Sequence, residues 1–213
     1  MIKVERFIVG EIEANCYFVT DDETKAAFLV DTGDYSYELE QRIREYGAEK
    51  VKYILLTHGH LDHIGYTAEM KKKMPWVQIV IGKEDSHFTN EDDFNLAWQF
   101  GMTIQHFDAD ILVEDGSELE FGMNKIKVIS TPGHTKGGVC YLLGDCIFTG
   151  DTLFRGCIGR TDFPTGNKKE MASSLKKLAA LDGDYKIYCG HDRATTLDFE
   201  RKNNIYITRE DLI

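Results

Sequence analysis

Apolar residues alternate with polar ones in short runs from the start of the chain. Ile2 to Val9, Cys16 to Thr20 and Ala26 to Val30 read as strands, with Asp21-Asp22-Glu23 as a turn between the last two. The period then changes. Ser36 has the chemistry of an N-cap, Leu39, Ile43 and Tyr46 form one helical stripe, and Gly47 stops it. Val51 to Leu56 reads as a buried strand, Ile64 to Met74 as a second helix, and Trp76 to Ile81 as a strand. Lys83 to Asp110 is less regular. Phe88, Phe94, Trp98, Phe100 and Phe107 sit there among acidic residues and read as a helical cover that closes the core. His87 and His106 in the same stretch read as structural or surface groups.

Further strands are expected at Ile111 to Val113, Leu119 to Phe121 and Ile126 to Ile129. Cys140 to Leu143 and Cys146 to Phe148 flank Gly144-Asp145, a two-residue hairpin loop whose leading Gly suits a type II′ turn. Asn167 and Glu170 form a capping box for a helix carrying Met171, Leu175, Leu178 and Ala179 on one face. Tyr185 to Tyr188 is the last strand, and a helix is expected from about Thr196 to Asn203. Strands followed by helices in both halves, with β-meanders, predict an α/β (α+β) fold of the αββα sandwich type. No internal repeat or linker divides the chain, so residues 1–213 read as one domain.

Composition narrows the partners. At 42% hydrophobic and 11% aromatic, the 213 residues can build a full core. A net charge of −11 argues against a nucleic-acid surface; Lys71-Lys72-Lys73 is the only basic run and reads as a solvated helix end. Charged residues break up the first stretch, so no signal peptide is expected, and no apolar run approaches a membrane span. The five cysteines include no C-x-x-C pair. Cys16, Cys140, Cys146 and Cys189 fall in strands, so buried free thiols and a cytoplasmic location are expected. Cys157, in a Gly-rich loop, could approach a site.

The chemistry concentrates in Thr57-His58-Gly59-His60-Leu61-Asp62-His63, directly after the buried strand. Three imidazoles and a carboxylate in six positions suit zinc, iron or manganese. A chance cluster of solvated histidines is the bland alternative. Three further segments argue against it. His134 lies in Thr131-Pro132-Gly133-His134-Thr135, Asp151 in Phe148-Thr149-Gly150-Asp151, and His191 in Cys189-Gly190-His191-Asp192. Each follows an apolar run and a Gly, which permits a tight turn and close backbone approach. Four strands thus deliver ligand-type residues to one end of a sheet assembly.

From Val30-Asp31-Thr32-Gly33 to His191 the chain resembles the metallo-β-lactamase fold superfamily. By that resemblance His58, His60 and His134 would hold a first metal. Asp62, His63 and His191 would hold a second, Asp151 would bridge both, and Asp62 would also orient the nucleophile. Two divalent metal ions, zinc first with iron or manganese accepted, would then acidify a shared water into a bridging hydroxide. Asp31 is expected beneath a ligand histidine or as a turn cap alone, and Gly137-Gly138 would let backbone pass close to the site. Relatives often carry substrate-facing loops near Lys83 to Asp110.

Within the superfamily, Gly159-Arg160-Thr161-Asp162-Phe163-Pro164, Asn15-Cys16-Tyr17 and the segment after Gly190 resemble short glyoxalase II-type hydrolases (hydroxyacylglutathione hydrolase-like). This implies a thioesterase cleaving an S-acyl thiol such as S-lactoylglutathione, with an anionic small-molecule substrate. The chain ends soon after His191, which implies that the C-terminal helical domain with glutathione contacts is missing. His60 keeps the hydrolytic motif that redox diiron members replace with Glu, and Asp151 separates the chain from true class B β-lactamases. Arg155-Gly156-Cys157 and Gly159 to Phe163 also resemble persulfide dioxygenases, which would use His58, His134 and Asp151 around one iron. A lactonase is a third reading. Arg155 and Arg160 are candidates to steer an anion, with Arg160 bracing Asp162 as the alternative.

Overall fold

The computed structural model describes residues 1–209. Two six-stranded sheets pack face to face. The first runs β1 (Ile2–Val9), β2 (Ala14–Asp21), β3 (Ala27–Val30), β4 (Val51–Leu55), β5 (Gln78–Gly82) and β6 (Ile111–Val113), in that spatial order. The second holds β7 (Glu118–Phe121), β8 (Asn124–Ser130), β9 (Val139–Leu143), β10 (Cys146–Gly150), β11 (Lys186–Cys189) and β12 (Thr195–Thr196), again in chain order across the sheet. Each begins as an antiparallel meander. Pairing turns parallel from β3 through β6, and between β10 and β11.

The period of two explains the layers. In β2 and β3, Cys16, Phe18, Ala27 and Leu29 point to an outer helical layer, while Tyr17, Val19, Phe28 and Val30 point between the sheets. The second sheet answers with Phe121, Val128, Tyr141 and Phe148 on its inner face. Helices α1 (Tyr37–Tyr46), α2 (Leu61–Ile64) and α3 (Thr67–Lys73) cover the first sheet through Leu39, Ile43, Ile64 and Met70. Helices α4 (Lys168–Ala179) and α5 (Leu197–Asn203) cover the second through Met171, Leu175, Leu178 and Leu197. The order is therefore helix, sheet, sheet, helix, as the sequence predicts.

Local signals hold in detail. Ser36 caps α1 by accepting from the Leu39 N–H, and Thr196 caps α5 at Phe199. Asn167 caps α4 at Lys169 and Glu170, but the Glu170 carboxylate turns to Lys136. Gly144 alone has positive φ in the β9–β10 loop, as a II′ turn requires. A short α6 (Ile205–Thr208) follows α5.

Two expectations need correction. The helix expected over Ile64 to Met74 breaks at Gly65-Tyr66. The Tyr66 N–H donates to the Thr32 carbonyl rather than back along a helix, and a Cβ on Gly65 would fall 2.6 Å from the Gly33 carbonyl oxygen. Lys83 to Asp110 is not a helical cover. A 3₁₀ turn spans Lys83–Thr89, and irregular chain follows. Phe88 is buried, but Trp98 and Phe100 are exposed (73% and 52%). Among the described residues no helix is long and apolar enough to cross a membrane.

Candidate metal centre

The carboxyl ends of β4, β10 and β11 and the end of β8 meet at one edge of the sandwich. His58 leaves β4 through Leu56-Thr57, His60 occupies the N-cap position of α2, and Asp62 and His63 ride on α2. His134 follows β8, Asp151 follows β10 and His191 follows β11. Three overlapping groups converge: His58, His60 and His134; His58, His63 and Asp151; and Asp62, His63 and His191. Within each group the ligand atoms lie within 4.8 Å of one another. All seven residues singled out by the sequence are thereby brought together.

Hydrogen bonds fix which ring nitrogens are bare. His63 Nδ1 stands 2.9 Å from Asp31 Oδ2, so it carries a proton and Nε2 is the ring atom turned to the cluster. The Thr57 hydroxyl donates to Asp31 Oδ2 (2.7 Å), so it accepts from His58 Nδ1 at 3.1 Å, and His58 Nε2 is bare. His134 Nδ1 faces the Arg160 carbonyl at 2.7 Å, which exposes its Nε2 lone pair. That atom looks at His60 Nδ1 across 2.9 Å. His191 Nε2 is 3.2 Å from Asp62 Oδ2 and 3.3 Å from His63 Nε2. His58 Nε2 and Asp151 Oδ1 are buried without a hydrogen-bond partner; His63 Nε2 approaches Asp151 Oδ1 only to 3.4 Å. Buried polar atoms are nearly always satisfied. Lone pairs aimed at common points beside two carboxylates form the donor set a divalent cation requires, so the residues fit a metal.

The charges agree. Burial, reinforced by His63 and His134, drives His58 far below the usual imidazole range, and burial with His134 takes His60 down to about 3. Both rings are therefore neutral, the form in which imidazole can ligate a metal. Burial also pulls on His63, but Asp62, Asp151 and Asp31 outweigh it and hold the ring well above its usual value. Burial pushes Asp151 up, yet His63, His134 and His58 keep it well below the carboxylate range. A cation held there would displace the extra His63 proton.

Asp31 is more than a turn cap. It adopts φ +55°, costly for a residue with a Cβ, and its Oδ1 accepts from the Thr57 N–H at 2.8 Å. The Asn15-Cys16-Tyr17 motif also acquires a role. Asn15 Nδ2 donates to the Cys189 and Asp192 carbonyls (2.9 Å each), and Tyr17 Oη donates to Cys189 O at 2.6 Å. Strand β2 thereby holds the His191 loop. Gly190 lies so close that a Cβ would meet Asp151 Oδ1 at 2.2 Å. Arg160 forks onto Asp162 with two 2.7 Å bonds and stacks on Phe163.

One residue had no signal in the sequence. Asp85, fully buried, accepts from the Gly59 N–H, the Thr135 hydroxyl and the Gly137 N–H at 3.1, 2.7 and 2.6 Å. It ties the His58–His60 loop to the His134 loop where Gly137 passes. Burial raises its pKa against those three bonds. It stands in Lys83-Glu84-Asp85, where neither spacing nor an apolar run sets it apart.

Residues 9–191 match the metallo-beta-lactamase superfamily. The chain belongs to that superfamily. A superfamily relative from Haemophilus influenzae, named hydroxyacylglutathione hydrolase GloC, is 35% identical over 97% of this chain and 98% of its own. Among solved structures, BLEG-1 B3 metallo-beta-lactamase matches with a TM-score of 0.89 at 28% identity, covering 98% of this chain and 100% of that one. TTHA1623, described in a di-iron-bound form, matches at 0.82 and 30% over 94% and 98%. ETHE1 from Myxococcus xanthus matches at 0.73 and 25% over 95% and 83%. This metallo-hydrolase superfamily membership, with the His/Asp cluster, implies a centre for divalent metal.

Proposed function

We propose that this protein is a metal-dependent thioester hydrolase of the hydroxyacylglutathione hydrolase type, acting on a small anionic S-acyl thiol in the cytoplasm, with no nucleic-acid or membrane partner. The observation that carries the reading is the buried cluster with His58 Nε2 and Asp151 Oδ1 unpartnered at its centre. The end-to-end similarity to the Haemophilus influenzae relative directs it to thioesters. Two divalent cations, zinc first with iron or manganese as alternatives, would be held by His58, His60 and His134 and by Asp62, His63 and His191, with Asp151 between them. When bound, they supply Lewis acidity and lower the pKa of water. The di-iron-bound form of TTHA1623 supports iron as one occupant.

The chain's own residues do the rest. A cavity of about 270 Å³ opens onto His60, Asp62, His134, Asp151 and His191. Its walls include Ile12, Leu96, Phe100, Phe154 and Phe163, which exclude water and receive the acyl group. Asp62 presents its carboxylate there and can orient an incoming water by accepting its hydrogen bond. Burial raises its carboxyl, but His63 and His191 outweigh that and keep it ionised. Among the described residues that line this cavity there is no Ser or Cys. A departing thiol, of pKa about 8.5, leaves as thiolate and needs no strong acid.

A second reading, a dioxygenase using one iron on His58, His134 and Asp151, is supported by the ETHE1 likeness and by His134 Nε2 lying 3.5 Å from Asp151 Oδ2. The test is hydrolysis of S-D-lactoylglutathione by purified protein, as isolated, after chelation, and after reloading with zinc, iron or manganese. Turnover lost on chelation and restored by metal is expected. Absence of turnover in every reloaded sample refutes the thioesterase; oxygen uptake with glutathione persulfide would then establish the second reading.

A further inference from the structure

A larger cavity, about 870 Å³, opens on the other side of His191. The chain has 36 acidic side chains, and four of its eight arginines pair with one in the described structure. Arg42 pairs with Glu5, Arg44 with Glu40, Arg160 with Asp162 and Arg201 with Asp198. Among the described residues Arg6, Arg155 and Arg193 have no carboxylate partner, and all three line this one cavity. Glu13 and Asp192 also line it, leaving the arginines in excess.

Two of the guanidinium groups are held ready. Arg155 stacks over the Phe199 ring with Cζ 4.1 Å from its centroid, which leaves its in-plane N–H edge free. Its loop is fixed by the Gly156 N–H donating to buried Glu200 Oε2 at 2.8 Å. Arg6 Nη1 donates to the Asp192 carbonyl at 2.6 Å.

A second, independent feature lies on the same wall. Asn15 is 1% exposed, and its Nδ2 is committed to two carbonyls, which fixes the amide orientation. Its Oδ1 therefore faces as an acceptor, is buried, and has no partner. An unpaired buried acceptor is unfavourable unless a ligand or an ordered water donates to it.

We propose that Arg6, Arg155, Arg193 and Asn15 form a subsite for the leaving thiol: a carrier bearing a carboxylate for the guanidinium groups and an amide N–H for Asn15 Oδ1. This rests on the thioester-hydrolase reading. His191 and Ile12 line both cavities, so one substrate spans them. The acyl group lies in the apolar cavity and the carrier in the arginine cavity. Recognition of the carrier is then built into β1, β2 and the loops after β10 and β11.

The test compares lactoyl thioesters of three thiols with the metal-loaded enzyme: glutathione, N-acetylcysteamine (an amide without charge) and coenzyme A (phosphates). It uses wild type and the double variant R155Q/R193Q, which leaves Arg6 and its backbone bond in place. We expect kcat/KM for the glutathione ester to exceed that for the uncharged ester by at least about tenfold, mainly through KM. In R155Q/R193Q that ratio should collapse toward one, and R155K/R193K should restore part of it. An unchanged ratio, or equal losses on both esters, overturns the subsite. Preference for the coenzyme A ester overturns the carboxylate assignment. Binding of S-methylglutathione, which cannot be hydrolysed, is measured in parallel by calorimetry. Binding weakened about tenfold in R155Q/R193Q supports the subsite even if no thioester is turned over, which would refute only the hydrolase reading. No binding to wild type overturns the subsite.

Discussion

Asp31 shows how much one side chain can decide. A single carboxylate orients His63 directly and His58 through Thr57, so two rings on different elements present Nε2 to the cluster. Asp31→Ala should leave both rings free to change tautomer and weaken metal binding about 10–100-fold, read by competition with a chromogenic chelator. His58→Ala and Asp151→Ala should abolish metal-dependent turnover with the far-UV circular dichroism spectrum intact; near wild-type thioesterase activity in either reloaded variant would sink the dinuclear mechanism. Asp85→Ala differs, because it strands three buried donors. It should cost about 2–5 kcal/mol in chemical denaturation as well as metal affinity. The converging residues could be read from the sequence because four of them fall within six consecutive positions, and because each later one follows a strand and a Gly. Asp85 could not, since its partners are two backbone amides and a hydroxyl, brought together only by the packing of two distant loops.

At the scale of elements, the strands were legible wherever both faces are buried. Tyr17-Phe18-Val19 and Phe28-Leu29-Val30 alternate between two apolar layers, so β-propensity and burial agree. The α2–α3 break was hidden because Ile64 to Met74 keeps a helical pattern. What stops the helix is the Thr32 carbonyl, a tertiary acceptor for the Tyr66 N–H. The break has a use: it lets the four-residue α2 turn Asp62 and His63 inward independently of α3. Gly65→Ala, with a Cβ forced toward the carbonyls of Gly33 and Leu61, should displace α2. Metal analysis should find the stoichiometry reduced at the Asp62–His63–His191 group while His58–His60–His134 still fills. Phe100 misled for another reason, since an aromatic residue that lines a cavity looks in sequence like one that closes a core.

At the scale of the whole molecule, protons and cations compete for one cluster. Carboxylates hold His63 above its usual pKa against burial, and Asp62 and Asp151 do the same for His191. Those protons must leave before metal enters. Affinity should therefore fall as pH is lowered from about 8 to 6, since protonation of raised-pKa rings grows in that direction; a dissociation constant independent of pH across this window would contradict the assignment. The architecture carries a further consequence. All six strands of the first sheet precede Glu114, all six of the second follow Ser117, and no strand crosses. His58, His60, Asp62 and His63 belong to the first half, and His134, Asp151 and His191 to the second. A protease nick at Asp115-Gly116 would thus yield two contiguous pieces, each with an incomplete ligand set and a bare inner face. Co-expressed, they should reassemble, and divalent metal should act as the latch: a reporter split at this point would read out cation availability, with chelation separating the pieces.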